Sequence, residues 1–362
     1  MSADLLDALD GADVVVCCGS GGVGKTTTAA TVGLELARRG KRVVVVTIDP
    51  AKRLADALGV AGGLGNDPSR LQVGAVTDAA GGALWAMMLD TAATFDGLVR
   101  AHAPDPERAE RILANPFYHN FAGALSGTQE YMAAERLHAL HGDPRFDVVI
   151  VDTQPTRNAL DFLDAPGTLA RFLDHPLFRL MMLPARRGLK VLNIATQPVL
   201  RTIGKVVGGE VLADAIAFFQ AFEGMETGFR ERADDVMALL RAPSTRYLLV
   251  AAPKADTLAE AAYFARRLAD SDLGVAALVI NRSTPTFDVP TATRTAVDRE
   301  LWANYDELVA IAEAERSQVG PLLALTAPAP VVWVPLLGED VHDLTGLAHL
   351  GERLFVAPPP AG

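Results

Sequence analysis

The chain has 362 residues, 50% of them hydrophobic, and a net charge of −11, with a pI near 5.1. This length suffices for one large or two ordinary domains around a sizeable core, and the acidic balance argues against nonspecific nucleic-acid binding, which needs basic surface to displace counterions. No apolar run of about 18 residues is free of charge and proline, and the start Met1-Ser2-Ala3-Asp4 lacks a basic signal-peptide region, so a cytoplasmic protein is expected.

The first apolar run, Val14 to Cys18, predicts a buried strand. It carries both cysteines, Cys17 and Cys18, which as strand neighbours face opposite sides and are expected as small core residues. There is no CxxC pair, so no zinc clasp is expected. Next comes Gly19-Ser20-Gly21-Gly22-Val23-Gly24-Lys25-Thr26-Thr27, which satisfies the phosphate-loop pattern GxxxxGK[ST] from Gly19 to Thr26. Ala29, Val32, Gly33 and Leu36 follow at helical spacing, and Arg38-Arg39-Gly40 reads as the helix stop. Strand, glycine loop and helix together aim backbone N–H groups at a nucleotide's phosphates. Lys25 is expected to reach the β and γ phosphates, and the Thr26 hydroxyl to hold Mg²⁺.

The second run, Val43 to Ile48, leads into Asp49-Pro50. Strand ends of an open parallel sheet converge on the ligand crevice. Asp49 is therefore expected to face the γ-phosphate, where it can orient or deprotonate the attacking water. A plainer role, helix N-cap ahead of Pro50 at the first helical position, is compatible with this. The stretch from Trp85 to Gly142 reads as mostly helical. The third run, Val148 to Val151, ends in Asp152, a Walker B pattern that brings a carboxylate near the metal. Thr26, Asp49 and Asp152 are the expected metal set. Pro155 and Thr156 open a helix as a candidate γ-phosphate sensor.

From Asn158 to Leu240 the pattern is again helical. Leu177–Leu183 and Val206–Phe222 carry apolar stripes too wide for one core face. They fit either a helix buried on both sides or a groove for an apolar client. Arg186, Arg187 and Lys190 read as a solvated surface cluster. The runs Tyr247–Ala251, Val275–Ile280 and Val331–Val334 then alternate with helical patterns over Leu258–Ala269 and Thr293–Ser317. No guanine-reading NKxD occurs; Lys254-Ala255-Asp256 lacks its Asn. Asn281 ends a strand, and its amide offers an adenine edge both donor and acceptor. The proline-rich tail, 356–362, is expected to be disordered.

Short, continuously apolar strands alternating with helices predict an α/β fold with a doubly wound, mostly parallel sheet. The two helical stretches are too long for crossovers and read as an inserted subdomain. The expected division is a nucleotide-binding domain of 1–84, 143–157 and 241–355, and a helical subdomain of 85–142 and 158–240.

These motifs resemble the deviant-Walker ATPase family that contains the arsenite-pump ATPase and the tail-anchored-protein targeting ATPase, most nearly its actinobacterial single-domain branch. The family's loop GKGGVGKTT stands against Gly19–Thr27, its TDPAHSLSD against Thr47–Asp56, and its DTAPTGHTLR against Asp152–Asp161. The resemblance implies ATP and Mg²⁺ at a face-to-face dimer interface, with hydrolysis opening and closing the helical subdomains. It assigns adenine contacts to Asn281 and to Pro335 of Val334-Pro335-Leu336-Leu337. One departure matters most. The family's second loop residue is a lysine that crosses to the partner's phosphates, and here it is Ser20. A cation supplied in trans can be worth roughly 10³–10⁵ in rate. The expected partner is therefore a paralogous subunit that keeps the lysine, with a homodimer as the alternative. Lys52 and Arg157, where relatives carry His and Gly, are candidate substitutes. With cysteines only at 17 and 18, no arsenite site is expected. A hydrophobic protein client or a membrane partner is implied; no nucleic acid and no zinc are. A degenerate regulatory subunit and a partitioning or positioning ATPase are the alternatives.

Overall fold

The computed structural model describes residues 5–49, 51–74, 80–118, 128–154, 214, 215, 217, 218, 221, 225–287 and 299–355. Pro155, Thr156, Arg157, Leu177–Leu183, Arg186, Arg187, Lys190, most of Val206–Phe222, and the tail 356–362 lie outside them. The chain divides into two units, 1–89 with 140–160 and 241–362, and 90–139 with 161–240.

The first unit is built on eight strands: β1 (Val14–Gly19), β2 (Arg42–Thr47), β3 (Ser69–Arg70), β4 (Ala83–Met88), β5 (Val148–Asp152), β6 (Thr245–Ala251), β7 (Val275–Ser283) and β8 (Val331–Pro335). Their order is β3-β4-β2-β5-β1-β6-β7-β8. Every neighbouring pair is parallel except β3 with β4. All six residues of β1 are buried, because helices cover both faces of such a sheet. Cys17 and Cys18 are among them, as free thiols, and burial pushes Cys18 up to about 12. Helices α1 (Leu5–Leu9), α2 (Lys25–Arg38) and α3 (Arg53–Ala57) belong to this unit.

Two sequence expectations are corrected here. Ala83–Met88 pairs in register with β2, so the stretch from Trp85 opens on a strand and the sheet runs past residue 84. Its alanines and methionines lack the β-branched signal, and pairing with a buried neighbour overrides propensity. In addition, α3 begins at Arg53 with Lys52 at the cap position, so Asp49 is not a helix N-cap. Instead its Oδ1 accepts the Ala51 N–H at 3.0 Å, an Asx-type turn.

Helix α2 buries Ala29, Val32, Gly33 and Leu36, as its spacing predicts. Gly33 lies where the helix meets the sheet: a Cβ there would come 2.7 Å from Val45 Cγ2 and 3.2 Å from Leu84 Cδ1. Gly33→Ala should therefore destabilise the fold. Overpacking costs about 1–3 kcal/mol, against the roughly 1 kcal/mol alanine returns in a helix. A urea midpoint that rises in Gly33→Ala would refute this close packing.

The second unit holds α4 (Thr91–His102), α5 (Pro106–Leu113), most of α6 (Thr128–His141) and most of α7 (Glu226–Arg241). Asp90 and Asp105 cap α4 and α5 by accepting Ala93 and Arg108 N–H groups. Phe95, Ile112, Tyr118, Met132, Phe218 and Phe229 form its core. Phe218, one of the striped residues, is thus buried. Returning to the first unit, α8 (Ala255–Asp270), α9 (Arg299–Thr326) and α10 (Leu344–Phe355) complete it. Helix α9 continues beyond Ser317 through Pro321, further than expected. Among the described residues, no helix is long and apolar enough to cross a membrane.

Candidate active site

The first unit gathers its polar groups at the C-terminal ends of β1, β2 and β5. Strand β1 lies between β5 and β6, and the loop leaves its end at Gly19. Gly24, at φ +94, caps α2 with no side-chain hydrogen bond, and the helix has no acid in its first turn. Its first N–H groups therefore face outward without a competing carboxylate, as an anion site requires.

Register brings the strand ends together. Cys17 and Thr47 both stand opposite Asp152. Asp152 is fully buried, and its Oδ2 accepts the Thr26 hydroxyl at 2.8 Å and the Thr47 hydroxyl at 2.9 Å. Its Oδ1 is buried with no hydrogen-bond partner. Burial pushes this carboxyl up to about 6, against the pull of the two hydroxyls and Lys25. Lys25 shows the opposite imbalance. It is buried, burial lowers its pKa, and its Nζ donates to the Ser20 carbonyl at 2.8 Å. A desolvated cation and a desolvated carboxylate thus flank the loop, each incompletely compensated.

That pairing fits a metal–polyphosphate. Among the described residues, no three His, Cys, Asp or Glu side chains cluster to hold a metal. Mg²⁺ needs no such cage, since it binds through one or two carboxylates, waters and substrate phosphates. The lone Asp152 Oδ1 suits it, and a Thr26 hydroxyl that donates to Oδ2 keeps its own lone pairs free.

Asp49 follows β2 and is 7% exposed. Its N–H donates to Thr47 Oγ1 at 3.2 Å, and its Oδ2 pairs with Arg53 at 3.2 Å. Ser20 is 3% exposed, and its Oγ has no partner. Of the other loop positions, Gly21, Gly22 and Val23 make the β1–α2 turn and Thr27 lies in the first turn of α2. Lys52 is exposed. Asn281, on β7, turns to the loop: its Nδ2 donates to the Val23 carbonyl at 2.8 Å. Pro335 closes β8, two strands beyond β6, so Lys25, Thr26, Asp49 and Asp152 come together while Pro335 stays at the sheet's far side.

Sequence reasoning missed Thr47, Arg53 and the Asn281–loop bond. Arg53 lies four residues after Asp49, but the spacing is no helical signal here, because α3 begins only at Arg53 and the turn at Asp49 brings the two together. Thr47 and Asn281 had no signal either, because strand order alone makes their contacts.

A family model described as anion-transporting ATPase matches residues 12–355. The chain is 31% identical over 159 residues to an ATPase GET3 of Malassezia globosa, covering 44% of either chain. It is 27% identical over 265 residues to an ATPase GET3 of Rhodotorula glutinis, covering 73% of this chain and 68% of that one. To an arsenical pump-driving ATPase of Acidiphilium multivorum it is 27% identical over 325 residues, covering 88% of this chain and 47% of that one. The chain thus spans less than half the length of the first and third of these relatives.

Proposed function

This chain belongs to the anion-transporting ATPase family, and from that premise we propose that it binds and hydrolyses Mg-ATP as one subunit of a dimeric cytoplasmic switch. The nucleotide state would be coupled to a hydrophobic protein client or a membrane partner. The observation that carries the reading is the buried Asp152 carboxylate, held by Thr26 and Thr47 with one oxygen left over, beside the buried Lys25.

In this reading Lys25 leaves the Ser20 carbonyl for phosphate oxygens, and the loop N–H groups bind the rest of the phosphate chain. Asp152 and Thr26 would hold Mg²⁺, which when bound would neutralise charge on the phosphates. Asp49 orients the attacking water and accepts its proton. Asn281 and Pro335 stand on the strands that border the base in the resembling family.

Ser20 cannot reach a partner's phosphates, so the partner is proposed to be a paralog that retains the lysine. That lysine would complete this chain's site. The expected result is slow phosphate release by the purified chain alone and a marked rise on adding such a paralog. A second reading has its own support: Arg53 touches Asp49 and could supply the missing cation from within the chain. The two readings part on Arg53→Ala. If the cation comes in trans, the variant keeps its rate within about twofold. If Arg53 supplies it, the chain turns over alone and the variant loses at least about tenfold, a small part of what such cations can contribute. Turnover alone, untouched by Arg53→Ala, would sink both.

A further inference from the structure

Asn281 lies where the nucleotide reading wants a base contact, yet both ends of its amide are already engaged. Nδ2 donates to the Val23 carbonyl at 2.8 Å, and Oδ1 accepts the Arg282 N–H at 3.0 Å. The backbone behind it is held firmly. Arg282 adopts φ +62, a left-handed conformation uncommon outside glycine. The Ser283 hydroxyl donates to the Val334 carbonyl at 3.3 Å, and the Ser283 carbonyl accepts the Leu336 N–H at 2.8 Å. Thr284 gives its N–H and its hydroxyl to the Glu315 carboxylate on α9, at 2.8 and 2.9 Å. A second strand and a helix thus fix the segment that carries Asn281.

In front of it stands the loop. Val23 is 1% exposed. A Cβ on Gly24 would overlap the Asn281 amide nitrogen, so the amide occupies the space that the glycine leaves. The chemistry of a phosphate cradle explains why this matters. Loop N–H groups can face an anion only if the carbonyls between them turn away, and a carbonyl turned into the protein needs a donor there. For Val23 that donor is Asn281.

Resting on the ATPase reading of the site, we propose that Asn281 is a positioning residue of the phosphate loop: it sets the curvature that aims Lys25 and the loop N–H groups, and so serves the phosphate chain and not the base.

The test compares Mg-ATP, Mg-GTP and Mg-tripolyphosphate binding by calorimetry, in the wild type, Asn281→Ala and Asn281→Asp, each well below its melting temperature. Aspartate keeps the size and the acceptor for Arg282, has no donor for Val23, and adds a negative charge beside the phosphates. Each variant should weaken tripolyphosphate and ATP by the same factor, on the order of tenfold in alanine, the scale of one buried carbonyl left unpaired, and more in aspartate. The ratio of ATP to GTP affinity should not move. The inference is overturned if tripolyphosphate binding is unchanged while ATP weakens, or if the ATP-to-GTP ratio shifts, since either marks a base reader. It is equally overturned if only the melting temperature falls, or if aspartate binds like the wild type. A wild type that binds neither ATP nor tripolyphosphate would overturn the ATPase reading and this inference with it.

Discussion

Asp49→Asn should lower kcat for ATP by roughly 10²–10⁴, the range for losing a positioned general base, while Mg-ATP affinity stays within a few fold. The substitution is nearly isosteric. Its amide oxygen can still accept the Ala51 N–H, and its own N–H can still donate to Thr47 Oγ1. The local turn should therefore persist around a side chain that is 7% exposed. What disappears is the negative charge and the capacity to take a proton from water. Arg53, 3.2 Å away, loses its ion-pair partner at the same time, but that pair is half exposed on the arginine side and should weigh little in stability. A fall in kcat at constant affinity means an interaction made only in the transition state. The measurement is phosphate release from the chain alone and from its mixture with a lysine-bearing paralog, beside equilibrium nucleotide binding. Turnover equal to the wild type in both preparations would remove Asp49 from the reaction.

Gly19→Ala should abolish nucleotide binding and take much of the fold's stability with it. Gly19 ends β1 opposite Val250 of β6. A Cβ there would overlap the Val250 carbonyl oxygen and touch its carbon at 3.1 Å. These are backbone atoms of a paired strand, so no side-chain rotation relieves the clash, and one of the two strands must shift. Overpacking of this kind costs about 1–3 kcal/mol or more, and the φ of +149 adds about 1–3 kcal/mol of strain for a non-glycine residue. The sum is a large share of the roughly 5–15 kcal/mol that holds a typical domain folded. Gly22→Ala is the control. It lies in the same loop, but its added Cβ meets nothing within 4 Å, so the cost should be limited to backbone strain of about 1–3 kcal/mol, with no overpacking added. Thermal melting and ATP binding of the two variants give the comparison. Equal behaviour would mean that β6 does not constrain the loop at Gly19.

Much of this site was legible because its parts are local. The phosphate loop is a contiguous run after a buried strand, and Asp49 and Asp152 each follow an apolar run. Strand β4 was not legible, since Ala83, Trp85, Ala86, Met87 and Met88 carry no β-branched residue and the strand exists by pairing with β2. The start of α3 was misjudged because Asp-Pro is an N-cap signature. Here Asp49 makes a turn to Ala51 and the helix waits until Arg53.

The sequence by itself determined which chemical groups stand at the ends of the parallel strands: the glycine loop and Lys25 after β1, Asp49 after β2, Asp152 on β5 and Asn281 on β7. Local periodicity places those residues whatever the strand order. Only the tertiary structure decided how they pair. Strand order does not follow chain order, so the bond from Thr47 to Asp152 spans 105 residues and that from Asn281 to Val23 spans 258. The first depends on register between β2 and β5, which are neighbours only in the folded sheet, and the second on β7 lying one strand beyond β6 from the loop that follows β1; no pattern along the chain encodes either.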